Sequence, residues 1–143
     1  MARIPEGNAS TGERYGKQKV VYHINHDDPN AQAGALSNIQ NHINAVGKEN
    51  LDLKVVLNGK GISLLIKPNA LKNTPGNGTD EIPAEISGLK EQGVAFLVCA
   101  NTLHANKMNY ENDLYDVNQA DIVPSGVAEL ARLQGMGYAY IKP

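Results

Sequence analysis

"GVAFLVCANTLHANKM", residues 93–108, decides how the rest of the chain is read. After Gly93 comes an unbroken apolar run, Val94–Cys99. It is short for a helix and suits a strand covered on both faces. The run stops at Cys99 and a polar stretch begins, in which Asn101 or Thr102 is placed to cap a helix through about Lys107. A buried strand that passes straight into a helix is the repeating unit of a parallel α/β sheet.

The same alternation extends in both directions. Upstream, Lys19–Ile24 (KVVYHI) reads as a strand, and Asp28 before Pro29 opens a helix. Leu36, Ile39, Ile43 and Val46 recur at helical spacing, and Gly47 ends the run. Leu51–Leu57 is a second strand, followed by the NGKG turn at 58–61 and a short helix carrying Ile62, Leu65 and Ile66. Residues 68–80 are loop by composition, and Ile82, Ile86 and Leu89 mark an amphipathic helix stopped at Gly93. Downstream, 109–120 reads as a second long loop and Asp121–Val123 as a very short strand. Val127, Leu130, Ala131 and Leu133 lie on a last helix, and Tyr138–Lys142 on a last strand. The expectation is an α/β fold with a five-stranded, mainly parallel sheet in one domain, 19–143. The polar residues 1–18 precede it as a flexible arm.

Composition narrows the function. The net charge is −2 and no Lys/Arg cluster stands out, which removes the electrostatic case for nucleic acid. No stretch approaches the roughly 18 apolar residues of a membrane span. A single cysteine excludes an internal disulfide and a Cys-rich zinc site. The arm has no apolar core of a signal peptide, and it also suits the start of a mature exported chain.

Sites in parallel sheets form beyond the C-terminal strand ends. The segments that follow strands here are His23–Asp28, Asn58–Gly61, Cys99–Thr102 and Pro124–Gly126. Parallel strands bring them to one edge. Cys99 at a helix start faces free amides, which can lower a thiol pKa from about 8.5 to roughly 3.5–7.5 and make it nucleophilic. Cysteine is also a common small core residue, so the thiol is either reactive or filler. The amides of Ala100, Asn101 and Thr102 are the candidate donors to a thiolate. Asn25, His26, Asn58, Gly59 and Ser125 are the candidate pocket residues.

His23 suits a packed position beside the sheet, and Asp27 and Asp28 suit a helix start. A metal site would need His23, His26, His104 and Cys99 to converge, and their spacing matches no metal motif. NGKG lacks the phosphate-loop pattern, and Ser125 lacks a nucleophile elbow. The six tyrosines are candidates for an interface between copies.

Five stretches carry a family resemblance: KVVYHIN at 19–25, NIQNHINAVG at 38–47, VVLNGKGISLLIK at 55–67, GVAFLVCANTL at 93–103 and VPSGVAELARLQGMGYAYIKP at 123–143. In order and spacing the chain resembles the small single-domain branch of the DsrE/DsrF-like proteins. The resemblance implies a three-layer α/β/α fold and homo-oligomers, trimers or hexamers. It implies that Cys99, in its "GV…VC" context, accepts a persulfide and exchanges it with sulfur donor and acceptor partners. No metal or organic cofactor is needed for that chemistry. Where the relay members carry a basic "RG" element, this chain reads HANKMN at 104–109. Relatives with similar ends carry export leaders, which implies the periplasm, with the cytoplasm as the alternative. The rival reading is a small-ligand or anion-binding module whose pocket Cys99 merely lines.

Overall fold

The computed structural model describes residues 14–67 and 81–143. The loop expected at 68–80 and most of the arm expected at 1–18 lie outside the described residues. The five strands are β1 (Gln18–Ile24), β2 (Leu51–Leu57), β3 (Ala95–Cys99), β4 (Ile122–Val123) and β5 (Ala139–Ile141). They form one sheet in the order β4-β3-β2-β1-β5, and every pairing is parallel. The mainly parallel sheet expected from the sequence is thus wholly parallel among these strands.

Side-chain alternation divides the sheet between two cores. In β1, Val20, Tyr22 and Ile24 enter the larger cluster, while Val21 enters a smaller one. The larger cluster is closed by α1 (Pro29–Val46) and α2 (Glu81–Glu91). The smaller one is closed by α5 (Gly126–Gly135), whose Leu130 and Leu133 meet Val21, Val56 and Tyr138. Helices on both faces of the sheet make the three layers.

α1 starts as its sequence dictates. Asp28 accepts the Asn30 amide at 2.9 Å, Pro29 takes the first turn, and Gly47 ends the helix at φ +92°. Gln32, fully buried on the same helix, donates to the His26 carbonyl at 2.8 Å and to Ser63 Oγ at 2.9 Å. One side chain therefore ties the loop after β1 to the segment after β2.

That segment, Gly59–Leu65, is the expected short helix, of the 3-10 type, and it takes in most of the NGKG stretch expected as a turn. Close approach explains the glycine at 61. A Cβ there would lie 1.9 Å from the Ile24 carbonyl oxygen, so any side chain would collide with the end of β1.

The stretch expected as a loop at 109–120 has structure of its own. It holds a single turn, α4 (Tyr110–Asp113), capped by the Asn109 side chain, and a 3-10 turn at Gln119–Asp121 closed by reciprocal Asn118 and Asp121 bonds. Leu114 is buried, and its segment bridges antiparallel to Ile66. The polar composition hid this element because one leucine anchors it. Two of the tyrosines proposed for an interface, Tyr22 and Tyr138, are instead core residues with satisfied hydroxyls, bonded to His42 and Asp52.

Candidate functional site

Cys99 ends β3 and serves as the N-cap of α3 (Ala100–Ala105), so the helix starts earlier than the Asn101 or Thr102 cap expected from sequence. Thr102 is unavailable as a cap because its Oγ1 accepts the Gly59 amide at 2.9 Å. The position of Cys99 is a topological switch point. The chain leaving β3 sends Leu103 of α3 into the larger cluster, whereas the chain leaving β4 sends α5 to the opposite face. The two strands pair Cys99 with Val123, so the crevice between the diverging connections opens at the cysteine.

The Cys99 side chain is only 5% exposed. Of its neighbours, Asn101 is exposed, and Asn58 and Thr102 are half-buried. Burial pushes the thiol pKa up. The Gly126 amide, the Thr102 hydroxyl and amide, and the Asn101 amide pull it down, and their combined effect leaves it below the ordinary thiol value. No capping hydrogen bond to the Cys99 side chain is closed at rest. The donors act by stabilising charge on the sulfur, as at other thiolates placed before a helix. Thr102 does this with a committed proton: its oxygen accepts from Gly59, so its single hydrogen is free for the sulfur.

Gly126 matters for the same reason. A Cβ on it would stand 3.3 Å from Cys99 Cβ and 3.0 Å from Asn58 Cβ. Only a glycine leaves its own amide this close to the sulfur, and sequence reading missed it as a site residue.

The other expected pocket residues divide. Asn58 and Gly59 adjoin Cys99 through Gly126 and Thr102, as described. Ala100 follows Cys99 and also walls a groove of about 680 Å³ with Leu103, His104, Met108, Ile122 and Pro124. His104 belongs to that groove. Asn25 is exposed and accepts Lys142 Nζ at 2.6 Å. His26 is half-buried and holds Gln32 through its carbonyl, while its Nδ1 is buried without a partner among the described residues. Ser125 caps α5 by accepting the Ala128 amide at 3.1 Å, which accounts for its hydroxyl. Among the described residues no three His, Cys, Asp or Glu side chains gather into a metal-holding group, so His23, His26, His104 and Cys99 do not converge.

His23, expected as a packed residue, turns out to be the centre of a polar chain. It is 9% exposed; its Nδ1 meets the Tyr140 hydroxyl at 2.6 Å and its Nε2 meets Asn58 Oδ1 at 2.9 Å.

The family model of the DsrE/DsrF-like proteins matches residues 18–143. The chain belongs to the DsrE/DsrF-like family. A solved structure titled as a protein of unknown function, MTH1491 from Methanobacterium thermoautotrophicum, is similar at 31% identity with a TM-score of 0.72. The alignment covers 89% of this chain and 100% of that one. No functionally curated protein matches the chain. Among the described residues of this family member, no helix is long and apolar enough to cross a membrane.

Proposed function

We propose that this DsrE/DsrF-like protein is a sulfur carrier that holds a persulfide on Cys99 and exchanges it with the thiols of donor and acceptor partners. The observation that carries the reading is the set of donors around one free cysteine: the amides of Gly126, Thr102 and Asn101 and the Thr102 hydroxyl favour the thiolate. A thiolate is the form that attacks sulfur. In the step proposed, Cys99 Sγ attacks the outer sulfur of a donor persulfide. The donor S–S bond breaks, a new S–S bond forms on Cys99, and the donor leaves as a thiolate, with no net oxidation.

Family membership supports the same reading, as does the position of the thiol at the switch point of the sheet. The low exposure of Cys99 suits a carrier, because it keeps the outer sulfur from free thiols until a partner engages. The basic element of relay members is replaced by HANKMN at 104–109, so partners bind here by other contacts. The proposal includes a homo-oligomer, trimer or hexamer, and a periplasmic location, both supported by the family resemblance alone. The same chemistry would serve a cytoplasmic carrier.

The test is intact mass after incubation with polysulfide. The expected result is a gain of one sulfur, roughly 32 Da, that reductant reverses and that Cys99→Ser lacks. Absence of the adduct on a thiol that iodoacetamide does label would overturn the carrier reading in favour of a pocket that Cys99 only lines.

A further inference from the structure

The geometry points to Asn58 as the residue that holds the outer sulfur of a Cys99 persulfide, with His23 and Tyr140 as the positioning residues that aim its amide. The inference rests on the carrier reading and adds to it the means of stabilising the loaded state.

The sheet order places Asn58, just beyond the end of β2, between β1 and β3. Leu57 pairs with Val98, so the next residues, Asn58 and Cys99, lie side by side. Both side chains crowd Gly126: from the point a Cβ would occupy there, Asn58 Cβ and Cγ are 3.0 and 3.4 Å away and Cys99 Cβ is 3.3 Å away.

On the β1 side, Asn58 Oδ1 is bonded to His23 Nε2 at 2.9 Å. An amide oxygen only accepts, so Nε2 carries the proton. In the neutral ring Nδ1 then holds the lone pair, and the Tyr140 hydroxyl donates to it at 2.6 Å. In this tautomer the amide keeps its oxygen toward His23, since a flipped amide would set its N–H groups against the His23 N–H. The two branches of a planar amide diverge, so Nδ2 points away from His23. It has no acceptor among the described residues.

Asn58 is absent from the groups that lower the resting Cys99 pKa. It stands beside the cysteine all the same, so the atom we assign to its amide is one added to Sγ. In a persulfide that atom is the outer sulfur, which carries the negative charge once its proton is lost to solvent. No bond is made or broken by Asn58; it donates a hydrogen bond to the charged product of the exchange.

Two readouts on the full chain test this: the pH profile of iodoacetamide labelling, and the half-life of the sulfur adduct on Cys99 toward cyanide, read by intact mass. In Asn58→Ala the labelling profile is unchanged and the adduct half-life falls roughly tenfold, the effect of losing a hydrogen bond to a charged group. Tyr140→Phe, a change at a partly exposed residue that frees the His23 tautomer, shortens the half-life in the same direction with the labelling profile again unchanged. A purely structural role would move labelling and half-life together, and that outcome overturns the inference. So do equal half-lives in wild type and Asn58→Ala. A wild type that takes up no sulfur overturns the carrier reading and this inference with it.

Discussion

Thr102 connects two loops through one hydroxyl, taking the Gly59 amide on its oxygen and offering its proton to Cys99. Thr102→Val keeps the shape and removes both bonds. With one of the charge-stabilising donors gone, thiolate formation needs a higher pH, so the labelling rate profile of Cys99 moves to the alkaline side. Initial rates with iodoacetamide across pH measure it, and an unmoved profile would mean that the hydroxyl does not act on the sulfur. Stability falls by about 1 kcal/mol for the lost Gly59 bond, read by urea unfolding. Thr102, Gly59, Asn58 and Cys99 were legible in the sequence because each lies at or shortly after a strand end, and parallel strands bring such residues to one edge. His23 and Tyr140 were not. They are 117 positions apart and meet only because β5 docks beside β1, which no local pattern encodes. Gly126 closed a segment that follows a strand; that its amide reaches Cys99 follows from the pairing of β3 with β4.

Among the elements, the long periodic helix and the apolar strands were readable, since one side-chain pattern fixes both their type and their buried face. The two segments that differed are short and depend on a single contact. Gly59–Leu65 tightens into a 3-10 helix against the end of β1, where Gly61 meets the Ile24 carbonyl. Gly61→Ala would drive a Cβ into backbone atoms that cannot rotate away, so the segment must shift as a whole. We expect a loss of about 3 kcal/mol, at the upper end for overpacking, measured by urea unfolding. A loss below 1 kcal/mol would show that the segment slides freely over β1. The 109–121 stretch depends on Leu114, which is almost fully buried. Leu114→Ala should cost about 2–5 kcal/mol. Hydrogen exchange should then quicken at the Tyr115 and Lys67 amides, which bond to the Leu65 and Asp113 carbonyls and hold this stretch to the 3-10 segment. Unchanged protection there would mean that the turns at 110–113 and 119–121 hold the stretch without the leucine.

The described residues form two unequal cores on one sheet, and polar side-chain contacts lie on both of its faces. On the α5 side, Tyr138 donates to Asp52, its pKa is pushed up to about 12 by burial and by that carboxylate, and Lys19 and Lys54 lie over its ring. On the α1 side, the Tyr22 hydroxyl meets His42 Nδ1 at 2.9 Å and His42 Nε2 meets Gln18 Oε1 at 2.8 Å; in the neutral ring with its proton on Nε2, Tyr22 donates to Nδ1. Burial holds the His42 pKa below its ordinary 6.5. Between the lowered folded value and 6.5 the unfolded chain binds a proton that the folded chain refuses. This contribution to stability is therefore full above pH 6.5 and is lost as pH falls through that window. Glu129, held below its ordinary 4.5 chiefly by the Arg132 hydrogen bond, loses its own contribution only under more acid conditions. Urea midpoints between pH 5 and 7.5 thus report on the histidine when wild type is set against His42→Gln. The wild type should lose stability toward pH 5 more steeply than the variant. Parallel slopes would mean that the Tyr22–His42–Gln18 chain accepts a proton in the folded state at no cost, by rotating the ring away from Tyr22.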